Sequence, residues 1–210
     1  MKVSLSWLQQ YVEIDSEPSA LAETLTMAGL EVEAVIDPYA DMATVVVGRI
    51  TDVAPHPAAD KLSVCTVDIG SGQSIEVVCG AANAKTGISA PCAMPGTVLP
   101  SGGTVEKGKI RGQISEGMLC SEAELELGPD ADGIMVIDAD ARPGAPLTEA
   151  IGLSDTVFEI GLTPNRPDCL SVIGVAREIS ALNGKPLQKP APQPPPRPFP
   201  LPFMALSLPA

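Results

Sequence analysis

Between Val45 and Ser121 the chain is a succession of short β-rich runs cut by Gly, Pro and Asn: VVVGRITDVAPHPAADKLSVCTVDIG, then VVCGAANAKTG, then KGKIRGQISEGMLCS. Runs this short and this often interrupted cannot supply long helices or the crossovers of a doubly wound sheet. They predict a small all-β barrel. Strands are expected at residues 44–53, 62–69, 74–79, 90–93, 107–110 and 134–137, with a hairpin turn at 70–72. The Pro-rich stretch 54–61 and the Gly-rich stretch 96–103 are expected as connections, because neither composition fits inside paired strands. Five such strands close or nearly close a barrel and leave loops to frame one binding face.

The flanks differ from this middle. Residues 1–38 predict a helical hairpin with extended ends. Ser4 or Ser6 caps a first helix whose Trp7, Leu8, Tyr11 and Val12 form one apolar stripe, expected in the core rather than as a base-stacking platform. Pro18 opens a second helix carrying Leu21 and Leu25, and Gly29 stops it. Val32, Ala34 and Ile36 then alternate with Glu31 and Glu33 as in a half-buried strand. After the barrel, residues 157–162 predict a short strand. Pro167 and Asp168 start a helix with Val172, Ile173, Ala176, Ile179 and Leu182 on one face, and Gly184 ends it. From residue 186 the sequence turns to PLQKPAPQPPPRPFPLPFMALSLPA, a proline-rich composition that predicts a disordered or polyproline tail. The expected fold class is α+β and multidomain. It has a small α/β segment (1–38), an all-β barrel (39–153), the start of a further α/β domain (154–185) and the tail (186–210).

The formal net charge of −13 opposes non-specific coating of nucleic acid, since that affinity comes from Lys and Arg neutralising phosphates. Any RNA contact must use a local patch, and with only 3% aromatic residues stacking on single strands has little to work with. The five cysteines, Cys65, Cys79, Cys92, Cys120 and Cys169, are odd in number and widely spaced, so they predict reduced core residues rather than a metal site or a redox pair. The start of the chain has no apolar signal core and no run spans a bilayer, which predicts a cytoplasmic protein without membrane contact.

Local chemistry concentrates in Lys107-Gly108-Lys109-Ile110-Arg111. On a strand, alternate residues share a face, so Lys107, Lys109 and Arg111 are expected as a basic row able to follow a phosphate backbone, with Ile110 turned inward. Three phosphate contacts weaken about 20- to 40-fold between 50 and 200 mM salt, a modest anchor. The same alternation equally describes an ordinary solvated strand. Ser115 and Met118, in the phrase SEGML, can meet a base edge or pack on a base, while Asn83, Lys85 and Lys61 are loop residues that join the interface only if their loops converge on the basic strand. His56, between two prolines, is expected to serve turn geometry. No nucleophile–base pair, phosphate-binding glycine loop or metal-ligand cluster is found, so no catalytic site is expected on this chain.

Taken in order, MKVSLSWLQQYV with LTMAGLEVE, the phrases PHPAADKLSVCTVDIG, VVCGAAN and RGQISEGMLCS, and LTPNRPDCLSVIGVAREISAL resemble the N-terminal region of the bacterial phenylalanine–tRNA ligase β subunit, including its tRNA-binding OB-fold domain. The resemblance covers residues 1–185. It implies tRNA as partner, with no DNA, and an assembly of two α and two β chains in which the α subunit attaches phenylalanine to tRNA with ATP and magnesium. No cofactor is implied for this stretch itself. Among related OB-fold domains, Ser115 and Met118 match positions that contribute to tRNA binding, and Lys107, Lys109 and Arg111 match the basic strand. A complete β subunit is several times longer, and the proline-rich ending leads to the expectation of a truncated or frame-shifted fragment. Two other readings stay open: an independent tRNA-binding module and a barrel that mediates protein contacts.

Overall fold

A computed structural model describes residues 1–70, 72 and 74–189. In chain order the elements are β1 (Lys2–Ser4), α1 (Leu5–Gln9), α2 (Pro18–Met27), β2 (Glu31–Ile36), β3 (Val45–Pro55), β4 (Ser63–Asp68), β5 (Ser74–Cys79), β6 (Ser89–Ala93), β7 (Gly108–Ile110), β8 (Gln113–Ser115), β9 (Met118–Leu119), α3 (Leu147–Ala150), β10 (Val157–Gly161) and α4 (Val172–Asn183). The proline-rich tail lies outside the described residues from 190 onward, as does part of the 70–72 turn.

The barrel is an antiparallel sheet in the order β5-β4-β3-β6-β9. Its ends approach each other where Glu116 N–H donates to Glu76 O at 2.8 Å and Val78 N–H donates to Ser115 Oγ at 3.1 Å, so β5 and the chain entering β9 nearly close the cylinder. Strand β3 is covered on both sides, which is why its sequence begins with an unbroken apolar run. Val45 and Val47 pack outward with Leu99, Val105, Cys120 and Leu147, while Ile50 faces the interior with Cys65, Val67, Val77, Cys92 and Leu119. Gly48 faces that interior. A Cβ there would stand 2.6 Å from Val67 Cγ1 and 2.9 Å from Cys92 Cβ, so only glycine lets β3 run this close to its neighbours. All five cysteines are free and buried. Burial pushes the Cys92 and Cys120 thiols up to about 12.

Two expectations for the barrel are corrected. Residues 134–137 form no strand. Backbone groups there are satisfied one at a time, by Asn83 at Ile134, Cys120 O at Met135 and Ser89 O at Ile137, so the apolar run buries Ile134 and Ile137 without a ladder. The fifth barrel strand is instead β9, two residues inside SEGML, a phrase too short to show strand periodicity.

Strands β1 and β2 flank β10 in a second antiparallel sheet, with Val3 opposite Phe158 and Phe158 opposite Val35. Leu8, Leu21, Leu25 and Leu30 from before the barrel share one core with Phe158, Ile160, Val175 and Ile179 from after it. Residues 1–38 and 154–185 were expected as separate segments. They form one α/β layer pair, because neither alone buries both faces of a sheet. Residues 186–189 also join this unit: Leu187 packs on its core and Gln188 N–H donates to Tyr11 O at 2.6 Å. The expected Trp7–Tyr11 core stripe holds only in part. Helix α1 is a single turn capped by Ser4 Oγ, Leu8 and Val12 are buried, and Trp7 stays 50% exposed.

The loop before α4 is braced by Arg166, whose Nη2 donates to Glu178 Oε2 at 2.8 Å and Asp168 Oδ2 at 3.1 Å. The guanidinium holds Asp168 down at about 2. Among the described residues no helix is long and apolar enough to cross a membrane.

Candidate nucleic-acid interface

Strands β7 and β8 form a separate two-stranded hairpin standing on the barrel where it nearly closes. Ile110 pairs with Gln113, so Arg111 and Gly112 make the turn, with φ of 49° and 96°. Positive φ at both central residues is the I′ geometry that matches strand twist. Glycine takes it without strain, and Arg111 is held there by the ladder on either side.

This geometry revises the basic row. Lys109 lies on exposed β7, but Lys107 precedes the strand and pairs with Glu116, drawing that carboxyl below its usual range. Arg111 leaves the strand alternation and stands exposed at the hairpin tip. Ile110, expected to turn inward, is 41% exposed, because β7 covers no core of its own. Lys109 and Arg111 thus take part in no ion pair among the described residues, while Lys107 is offset by its partner.

Ser115 is 4% exposed. Its hydroxyl accepts from Val78 N–H and donates to Gly117 O at 2.9 Å. It is therefore engaged in closing the barrel rather than turned to solvent, and sequence alone could not show this because one partner lies 37 residues away. Met118 is half-buried and lines, with Lys109, Ile110, Leu99, Val105 and Glu124, a groove of about 560 Å³ beside the hairpin. Asn83 is also committed inward: its amide donates to Ile134 O at 2.9 Å and accepts from Ile134 N–H at 3.0 Å. Lys85 is exposed and has no ion pair among the described residues, where no hydrogen bond joins its loop to the hairpin.

The loop that carries Lys61 is joined to the hairpin by a residue whose part the sequence did not reveal. His56 is 6% exposed. Its Nδ1 accepts from Ala58 N–H at 3.1 Å and its Nε2 lies 3.1 Å from Ile110 O. These partners assign a neutral ring with its hydrogen on Nε2. The loop holding Lys61 closes through His56 N–H to Leu62 O at 3.0 Å, so it docks against the hairpin tip. Lys61, Lys109 and Arg111 therefore sit on two segments joined at His56. Prolines on both sides marked a rigid turn; a ring partner 54 residues away left no sequence signal.

Among the described residues, the one group of three side chains with metal-ligating atoms close together is Asp168, Cys169 and Glu178. The Arg166 guanidinium already bonds all three. A cation is thus built in, and these residues do not fit magnesium.

A nearly closed five-stranded antiparallel barrel with a cationic hairpin at its closure has the architecture of an OB-type fold. Residues 45–146 match the family described as "Putative tRNA binding domain". Over most of its length the chain is also similar to phenylalanine–tRNA ligase beta subunits. It is 50% identical over 190 residues to that of Syntrophus aciditrophicus, covering 90% of this chain and 24% of the relative. The match is 51% over 187 residues for Syntrophotalea carbinolica, covering 89% and 23%, and 50% over 195 residues for Parasynechococcus marenigrum, covering 90% and 24%. The chain spans about a quarter of the length of the curated relatives it matches.

Proposed function

We propose that this chain is the tRNA-holding part of a phenylalanine–tRNA ligase β subunit, working in the cytoplasm beside an α subunit in an assembly of two α and two β chains. The observation that carries the reading is the joint match: residues 45–146 to the tRNA-binding family, and the flanking α/β unit together with the barrel to β subunits at about 50% identity. The barrel anchors the RNA backbone while the partner attaches phenylalanine. The ATP and magnesium of that reaction belong to the assembly, since the acidic cluster beside α4 is occupied by Arg166.

We assign the anchor to Lys61, Lys109 and Arg111, with Lys107 contributing less because Glu116 offsets it. Ser115 and Asn83 support the surface from beneath, Met118 lines the adjoining groove, and Lys85 extends the surface only if the RNA reaches its loop. Two or three phosphate contacts give a log–log salt slope of about −2 to −3. Titrating tRNA-Phe transcript with the chain at two salt concentrations tests this, alongside co-purification with an α subunit. Binding with that slope and recovery of the α subunit are expected; no binding to tRNA at low salt would overturn the reading.

A further inference from the structure

We propose that His56 is a positioning residue for RNA binding, the latch that fixes the β7–β8 hairpin against the 56–62 loop so that Lys61, Lys109 and Arg111 present one phosphate-binding face. The inference rests on the tRNA-holding reading above and adds to it the residue on which the shape of the interface depends.

A two-stranded hairpin is marginal in water without further support. This one is tied to the barrel at its base, by Glu116 N–H to Glu76 O and by the Ser115 hydroxyl. At the other end it is held by the hydrogen bond between His56 Nε2 and Ile110 O, at the last residue before the turn. With the base alone attached, the hairpin can pivot about residues 115–116 and carry Lys109 and Arg111 away from Lys61. The imidazole is itself held on all sides. Pro55 and Pro57 restrict the backbone, Leu62 O accepts from the His56 N–H, and Ala58 N–H occupies Nδ1. A buried ring with both nitrogens engaged and its backbone closed into a turn is a rigid strut. The group it props carries the cations.

The two ring nitrogens can be tested separately. Glutamine places an amide near Nε2 and can keep the bond to Ile110 O. Asparagine places its oxygen near Nδ1, keeping the turn at Ala58 but not the latch. The experiment titrates labelled tRNA-Phe transcript with the whole chain at two salt concentrations, comparing wild type, His56→Ala, His56→Gln, His56→Asn and a Lys109→Ala/Arg111→Ala control, each also followed by thermal melting. Loss of the latch is expected to weaken binding about three- to tenfold, the effect of one hydrogen bond, and to make the salt slope shallower by about one as a phosphate contact is lost. The Ala and Asn variants should show this and the Gln variant should be rescued. A purely structural role predicts lower melting temperatures with an unchanged slope. Equal affinity and slope for the Gln and Asn variants would overturn the latch, even if His56→Ala does not fold, provided that the Lys109/Arg111 control has lost binding. Wild-type binding by that control would instead show that the hairpin is not the anchor, and both proposals would fall.

Discussion

The Ser115 hydroxyl accepts one hydrogen bond and donates another, both inside the barrel seam. Ser115→Ala leaves Val78 N–H and Gly117 O without a partner, which costs about 1–3 kcal/mol and lowers the melting temperature by several degrees. The salt slope of tRNA binding is expected to stay unchanged, and a thermal melt with a two-salt titration checks both. Weaker tRNA binding with an unchanged melting temperature would return Ser115 to the RNA surface. At this scale sequence showed which side chains have the right chemistry but not which are already engaged. Lys109 and Arg111 could be read as exposed cations from their Gly-flanked strand. The commitments of Ser115, Asn83 and His56 depend on partners 37, 51 and 54 residues away, and the pairing of Lys107 with Glu116 depends on a hairpin that brings residues nine apart together.

Elements were legible where periodicity had room to act. Strands β3 to β6 each run five residues or more, enough for alternation and bounding turns to define them, and helix α4 shows its apolar stripe and terminal glycine in the sequence, although it begins at Val172 after the Ser171 cap, beyond the separate turn at Pro167–Cys169 where the start was expected. Strand β7 was legible as the expected 107–110 run, whereas β8 and β9 are two or three residues long and carry no period. Their existence follows from the turn at Arg111-Gly112 and from closure of the barrel. The turn offers a direct probe. Gly112 has φ of 96°, where a β-branched side chain is strained, so Gly112→Val should loosen the hairpin at a cost of about 1–3 kcal/mol. Because this hairpin stands outside the barrel sheet, amide hydrogen exchange is expected to accelerate in residues 108–115 while β3 to β5 keep their protection. Uniform acceleration across the barrel would show that the hairpin is an integral part of its stability.

At the scale of the whole molecule, the barrel is an insertion between the two halves of an α/β unit. This pairing was hidden because its strands lie more than 120 residues apart in register. Asp155, just after the barrel, ties the halves: it accepts from Ser4 Oγ at 2.6 Å, Ser6 Oγ at 2.7 Å and Ser6 N–H at 3.0 Å. Partial burial pushes its pKa up, but the hydrogen bonds from Ser4, Ser6 and Thr156 outweigh this and leave it below the usual carboxylate range. A carboxylate depressed in the folded state stabilises above its unfolded pKa of about 3.9, and that contribution is lost as pH falls through the folded value. Asp155→Asn should therefore lower the melting temperature by about 2–4 °C at neutral pH, and the difference from wild type should vanish in strong acid. A difference that persists there would mean that the side chain acts through packing alone.

The central claim is that tRNA lies across the hairpin and the loop latched to it. Ultraviolet crosslinking of the whole chain to tRNA-Phe transcript, with mass spectrometric mapping of the attached peptides, addresses this most directly. Crosslinks concentrated in residues 56–62 and 105–118 are the expected result. Crosslinks confined to the α2–β2 face of the α/β unit, with none in those two segments, would contradict the account.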